Sequence, residues 1–177
     1  MAQESSKAKW EGKATEELQG SKAEQIWPLV ADFCNIDKFF PNMDICDRVE
    51  GSPGQPGLVR YCVSQDKWAN EKLLTIDPTN LCMSYAVLEN NLGFNNYVAT
   101  LKVLPLPTLQ GDEKNEYDGR PCADAAAGCK IEWSFVVDPF DDGWKFEDLL
   151  SFIDYCLQFM AKKMEDAIKT QNLQGEI

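Results

Sequence analysis

One stretch decides what the rest of the chain must provide. From about Trp144 to Thr170, apolar residues recur every three or four positions: Phe146, Leu149, Leu150, Ile153, Cys156, Leu157, Met160, Met164 and Ile168. That spacing draws a single apolar stripe down an α-helix. At about 1.5 Å per residue, the helix runs on the order of 40 Å. Asp141 and Asp142 stand just before it, where negative charge is favourable. A long helix with one stripe needs a broad apolar surface to lie on.

The preceding residues read as strands that supply this surface. Lys9 to Leu18 is the first and Asp44 to Glu50 the second, closed by the turn-rich GSPGQPG. Leu58 to Val63 and Trp68 to Ile76 form a hairpin, followed by Asn80 to Glu89. Two strands alternate clearly: Phe94 to Leu104, with Tyr97, Ala99, Leu101 and Val103 on one face, and Cys129 to Val137, with Ile131, Trp133, Phe135 and Val137. Between the first two strands, Ser21-Lys22-Ala23-Glu24 has capping-box spacing and opens a helix. Its apolar face is Ala23, Ile26, Trp27, Val30 and Phe33; it breaks near Asn35, and Ile36 to Phe40 make a second short turn.

The connections leave no room for helical crossovers, so the sheet is mainly antiparallel. The exception is 105–128, a polar, Gly/Pro-punctuated segment expected to be a surface insertion. The expected class is therefore α+β: a curved seven-stranded antiparallel sheet wrapped around the long C-terminal helix, with two short helices after strand one. Such wrapping leaves an internal, mostly apolar cavity, the usual setting for a small ligand. Residues 1–177 read as a single domain, with 1–8 and 171–177 as flexible ends.

The hairpin carries two charges. A loop of two or four residues sets Arg60 directly across from Glu71, with Cys62 facing Ala69 and Leu58 facing Leu73; opposed residues share a face. A loop of three or five slips the register and separates the pair. Gln65-Asp66 lacks the glycine that two-residue turns favour. Val59, Tyr61, Val63 and Trp68 make the opposite face at least as apolar, so the pattern leaves open which face lines the cavity. An exposed Arg60–Glu71 pair would be a salt bridge contributing at most about 1 kcal/mol.

Composition narrows the chemistry. The chain has no histidine, which removes Ser-His-Asp and Cys-His arrangements and histidine-ligated metals. No metal site is expected: the acidic residues Asp112, Glu113, Glu116 and Asp118 lack calcium-loop spacing. A net charge of −12 argues against nucleic acid or an anionic membrane as partner. No apolar h-region opens the chain, so a cytoplasmic location is expected. Seven cysteines without C-x-x-C spacing read as reduced structural thiols.

With this order in place, the chain resembles the helix-grip fold of the birch-pollen-allergen and START-like superfamily (polyketide cyclase/dehydrase and lipid transport). More narrowly, it resembles the plant lachrymatory-factor synthase family. The matching residues are Trp10-Glu11-Gly12-Lys13, Asp32-Phe33-Cys34-Asn35 and Phe40-Pro41 followed by Cys46. They continue with Gly57-Leu58-Val59-Arg60-Tyr61, Trp68-Ala69-Asn70-Glu71-Lys72-Leu73 and Trp133-Ser134-Phe135. The resemblance implies that Arg60 and Glu71 are catalytic and that Tyr97 lines the pocket; Tyr85, Trp133, Phe39 and Phe40 are further candidate ligand contacts.

The implied reaction converts an alkenyl sulfenic acid to a thial S-oxide without a cofactor. Arg60 would hold the sulfenyl oxygen by charge-assisted hydrogen bonds and Glu71 would move the proton. Two departures, a shorter loop between Arg60 and Glu71 and a longer insertion after Leu104, bear on the pocket mouth. A second reading is a non-catalytic carrier of a small hydrophobic or sulfur-containing plant metabolite. A third, a hormone-receptor-like module recruiting a protein partner, lacks the histidine-containing latch of abscisic-acid receptors. The pollen-allergen branch carries a glycine-rich loop that Val63 to Trp68 lacks.

Overall fold

The computed structural model describes residues 7–107 and 128–175. Its elements run β1 (Trp10–Leu18), α1 (Ala23–Ala31), a 3-10 helix (Phe33–Lys38), β2 (Ile45–Glu50), β3 (Val59–Ser64), β4 (Lys67–Asp77), β5 (Cys82–Asn90), β6 (Val98–Pro105), β7 (Cys129–Val137) and α2 (Phe146–Gln174). The strands form one antiparallel sheet in the order β1-β7-β6-β5-β4-β3-β2. A long helix against this curved open sheet is the helix-grip fold. Most of the insertion expected over 105–128 lies outside the described residues.

Alternation places the core. Along β7, Cys129, Ile131, Trp133, Phe135 and Val137 are all buried, while the residues between them are half-exposed. The helical stripe answers it: Leu149, Ile153, Cys156, Leu157, Met160, Met164 and Ile168 are buried on α2, which lies against β1, β7 and α1. Gly12 leaves room for its cross-strand partner; a Cβ there would meet the Phe135 ring at 2.6 Å. Away from this seam the sheet leaves the helix. The register of β4 on β5 shifts between Ala69 and Glu71 and again between Leu73 and Thr75, and β2 shifts on β3 at Arg48/Glu50. Such irregularities bend strands and increase their twist.

Two local expectations are corrected. The reciprocal bond at the start of α1 is not Ser21 with Glu24: the Lys22 N–H donates to Gln25 Oε1 at 2.9 Å, so the cap sits one residue later. At the other end, α2 remains helical through Gln174, where a frayed tail was expected from Gln171. Among the described residues, no helix is long and apolar enough to cross a membrane.

Candidate functional site

The β3–β4 turn is two residues long, and Arg60 lies opposite Glu71 with Cys62 opposite Ala69. Gln65 takes the left-handed φ of +56° that a glycine would otherwise supply. Neighbours hold it there: the Gln65 N–H donates to Asp44 Oδ2 at 2.7 Å, and the Asn91 side chain accepts from the Trp68 N–H and donates to the Asp66 carbonyl. The turn is thus fixed by tertiary hydrogen bonds rather than by glycine.

The charged face points inward. Between β3–β6, β7 and the first turns of α2 lies a cavity of about 370 Å³, with Arg60, Cys62, Ala69 and Glu71 in its wall. That volume is in the range of small-molecule sites. Asn42, Lys67, Leu92, Trp144 and Phe152 line its outer end, where the exposed members mark the mouth.

Arg60 is 5% exposed. Its Nε donates to Glu71 Oε2 at 2.7 Å, and Nη2 is ion-paired with the same oxygen at 2.5 Å. Nη1 donates to the Phe33 carbonyl, and the guanidinium lies 3.8 Å over the Phe33 ring. The kink at Asn35, inside the 3-10 segment, makes this possible, because the short turn that ends there leaves carbonyls without intrahelical partners. Burial, the largest single influence, disfavours the charged guanidinium; Glu71, with Cys62, Tyr85 and Cys46 adding to it, outweighs burial and keeps Arg60 protonated, above its ordinary value. An arginine has five N–H groups. Two are hydrogen-bonded here, on Nε and Nη1, and Nη2 is ion-paired; the remaining N–H on Nη1, the outer N–H on Nη2 and Glu71 Oε1 make no hydrogen bond among the described residues.

A second polar cluster faces this pair. The Tyr85 hydroxyl interacts with that of Tyr97, and burial pushes both phenols up, so they stay neutral donors. Trp133 is 6% exposed, and its Nε1 makes no hydrogen bond among the described residues. It sits beside the Tyr97 hydroxyl, short of hydrogen-bond geometry, and its N–H offsets part of the upward push on that phenol. The lining deeper than the polar mouth residues is otherwise mostly apolar, including Phe40, whose ring meets Trp133 edge-on at 6.5 Å.

The structure therefore brings Arg60, Glu71, Tyr85, Tyr97, Trp133 and Phe40 around one cavity. Phe39 is not among them; it is buried in the core beside the wall. Sequence reasoning missed the Phe33 carbonyl, a backbone group with no residue-type signal, and the mouth residues Phe152 and Tyr155. The latter pair had a signal: two aromatics three apart on α2, off its buried stripe, with Tyr155 54% exposed. No group of three or more His, Cys, Asp or Glu side chains is arranged to hold a metal among the described residues.

A sheet gripping one helix, with an apolar cavity between them and a buried ion pair in the wall, defines a helix-grip pocket protein. Residues 14–171 match the family described as polyketide cyclase/dehydrase and lipid transport, and the chain belongs to that family. Solved structures share the fold. The protein XoxI from Bacillus cereus is 20% identical, over 89% of this chain and 94% of its own, at a TM-score of 0.64. An uncharacterized protein from Bacillus thuringiensis is 19% identical, over 89% and 97%, at 0.63. A protein from Thermobifida fusca is 19% identical, over 87% and 92%, at 0.65. At these identities the likeness speaks to the fold alone.

Proposed function

We propose that the cavity binds a small, mostly apolar sulfenic acid and rearranges it to a thial S-oxide without a cofactor. The observation that carries this reading is the Arg60–Glu71 pair, buried in the wall of an otherwise apolar cavity. Removing two charges from water is costly even when they pair. The two free N–H groups of Arg60 hold the sulfenyl oxygen as charge-assisted donors. Glu71 Oε1, which accepts no hydrogen bond among the described residues, takes the proton from the sulfenyl oxygen and returns one to the alkenyl carbon beyond the one bonded to sulfur, leaving the C=S bond of the S-oxide. The neutral Tyr97 and Tyr85 hydroxyls orient the polar end. The plant setting and cytoplasmic location expected from the sequence go with this reading.

A non-catalytic carrier is the second reading. It is favoured by the ties of Arg60 to protein groups, the Glu71 carboxylate and the Phe33 carbonyl, which already hold the guanidinium in the wall without a ligand. One experiment separates the two. An alkenyl cysteine sulfoxide is cleaved by a C–S lyase with and without this protein, and the volatile products are measured. The catalytic reading expects thial S-oxide from the wild type and none from Arg60→Leu or Glu71→Gln. No product from the wild type, together with micromolar binding of an apolar fluorescent probe, leaves the carrier.

A further inference from the structure

Two of the buried thiols meet across strands. Cys46 on β2 is the register partner of Cys62 on β3, and their sulfurs are 3.7 Å apart. The backbone shows what kind of pair they form. Val63 on β3 turns its carbonyl to β2, accepting from Asp44, whereas Leu58 turns its carbonyl to β4, accepting from Leu73. Alternation along the strand therefore gives Cys62 to β4 for its backbone bonds. Opposite β2, Cys46 and Cys62 form a non-hydrogen-bonded pair, whose Cα atoms sit about 4.5 Å apart. That separation lies inside the disulfide range, and closing the sulfurs to about 2 Å needs side-chain rotation alone.

The pair also has access and an acid–base setting. Cys62 is in the cavity wall, 4.0 Å from Glu71 Oε2; Cys46 lies behind it, away from the cavity, near the Phe33 carbonyl. The S–H of Cys62 directed at Cys46 draws the Cys46 thiol below its ordinary range, against the effect of burial and with help from Arg60, while that same bond and burial push the Cys62 thiol up, so Cys62 carries its proton until the S–S bond forms. Cys34, half-buried, and Cys82 lie outside the cavity lining.

We propose that Cys62 and Cys46 form a redox-active dithiol that reduces sulfenyl electrophiles, compounds of the type R–S–X, entering the cavity. For the sulfenic acid it rests on the preceding functional reading. The Cys62 sulfur attacks the sulfenyl sulfur; the S–S bond forms, the S–O bond breaks, and the hydroxide leaves as water with the thiol proton. Cys46 then attacks the Cys62 sulfur of this mixed disulfide, and the displaced thiolate leaves as a thiol with the second proton. The sulfenic acid gains two electrons and the two cysteines lose them, giving one thiol, one water and one Cys46–Cys62 disulfide. Cys46, whose sulfur lies 3.7 Å from that of Cys62, is the thiol placed to resolve the intermediate.

The test uses methyl methanethiosulfonate, a small sulfenylating reagent, at one equivalent on the full chain, read by intact mass and peptide mapping. The wild type is expected to lose the mass of two hydrogens and to yield a Cys46–Cys62 linked peptide, reversed by dithiothreitol. Cys46→Ser is expected to retain a methylthio group on Cys62, and Cys34→Ser to behave as the wild type. A methylthio group confined to Cys34 or Cys82, with Cys46 and Cys62 still thiols, overturns the proposal without any variant having to fold. Sulfenic acid generated in place of the reagent, with thial S-oxide measured in parallel, separates this reaction from the rearrangement. Product without linkage sinks the dithiol reaction alone; linkage without product sinks the rearrangement alone.

Discussion

The two faces of the β3–β4 hairpin invert the usual order of burial. Its inner face holds Arg60 and Glu71, with Cys62 and Ala69 beside them, all in the cavity wall. Its outer face holds Tyr61 and Trp68, half-buried with ring centroids 6.1 Å apart. Hydrophobicity alone left the choice of face open, since Leu58, Cys62, Ala69 and Leu73 share the inner face with the two charges. A pair of charges is kept inside only where each is hydrogen-bonded and something offsets its lost water. Arg60 meets the first condition fully, through Glu71 and the Phe33 carbonyl; Glu71 meets it at one oxygen and leaves the other open to the cavity. The asymmetry points to a ligand rather than to stability.

The strongest test of that contrast is Glu71→Ala, which strands a buried guanidinium. It is expected to lower unfolding free energy by about 3–5 kcal/mol in urea titrations. A loss as small as that of a surface pair would mean that Arg60 is wetter than its burial indicates. The double change Arg60→Met with Glu71→Leu removes both charges at similar volume. Its unfolding free energy from urea titration is expected to equal or exceed that of the wild type, by up to about 4 kcal/mol; a large loss would make the pair a structural tie.

Cys156 shows what burial does to an ionisable group without a partner. It faces inward from α2, and burial alone pushes its thiol from 9.0 up to about 12. The folded state therefore binds its proton more tightly than the unfolded chain. That contribution is fully present below pH 9.0 and is lost as pH rises toward about 12. The thermal midpoint should fall over this window, and Cys156→Ala should fall less steeply; parallel curves would remove Cys156 as a cause. On the outer face, Tyr61→Ala should cost only about 1–2 kcal/mol, with ligand binding unchanged by probe titration.

Much of this was legible from period and parity. β7 runs over the same residues that its alternation marks, Cys129–Val137, because one face meets the helix and the other is solvated. The hairpin register followed from an even loop, which alone puts Arg60 against Glu71. What stayed hidden depended on partners distant in sequence. The glycine-free turn is held by Asp44 and Asn91, and the inward choice of face depends on the Phe33 carbonyl, freed by the kink at Asn35. Cys46 and Cys62 read as separate structural thiols, because the register of β2 on β3 is set across the long GSPGQPG turn rather than by a tight hairpin.

The most direct test of the central claim is thial S-oxide yield from the Arg60→Met/Glu71→Leu chain beside the wild type, both confirmed folded by urea titration. Product from the wild type and none from an equally stable double variant is the predicted result. Equal product from both, or none from either, would contradict a cavity whose buried charges are there for chemistry.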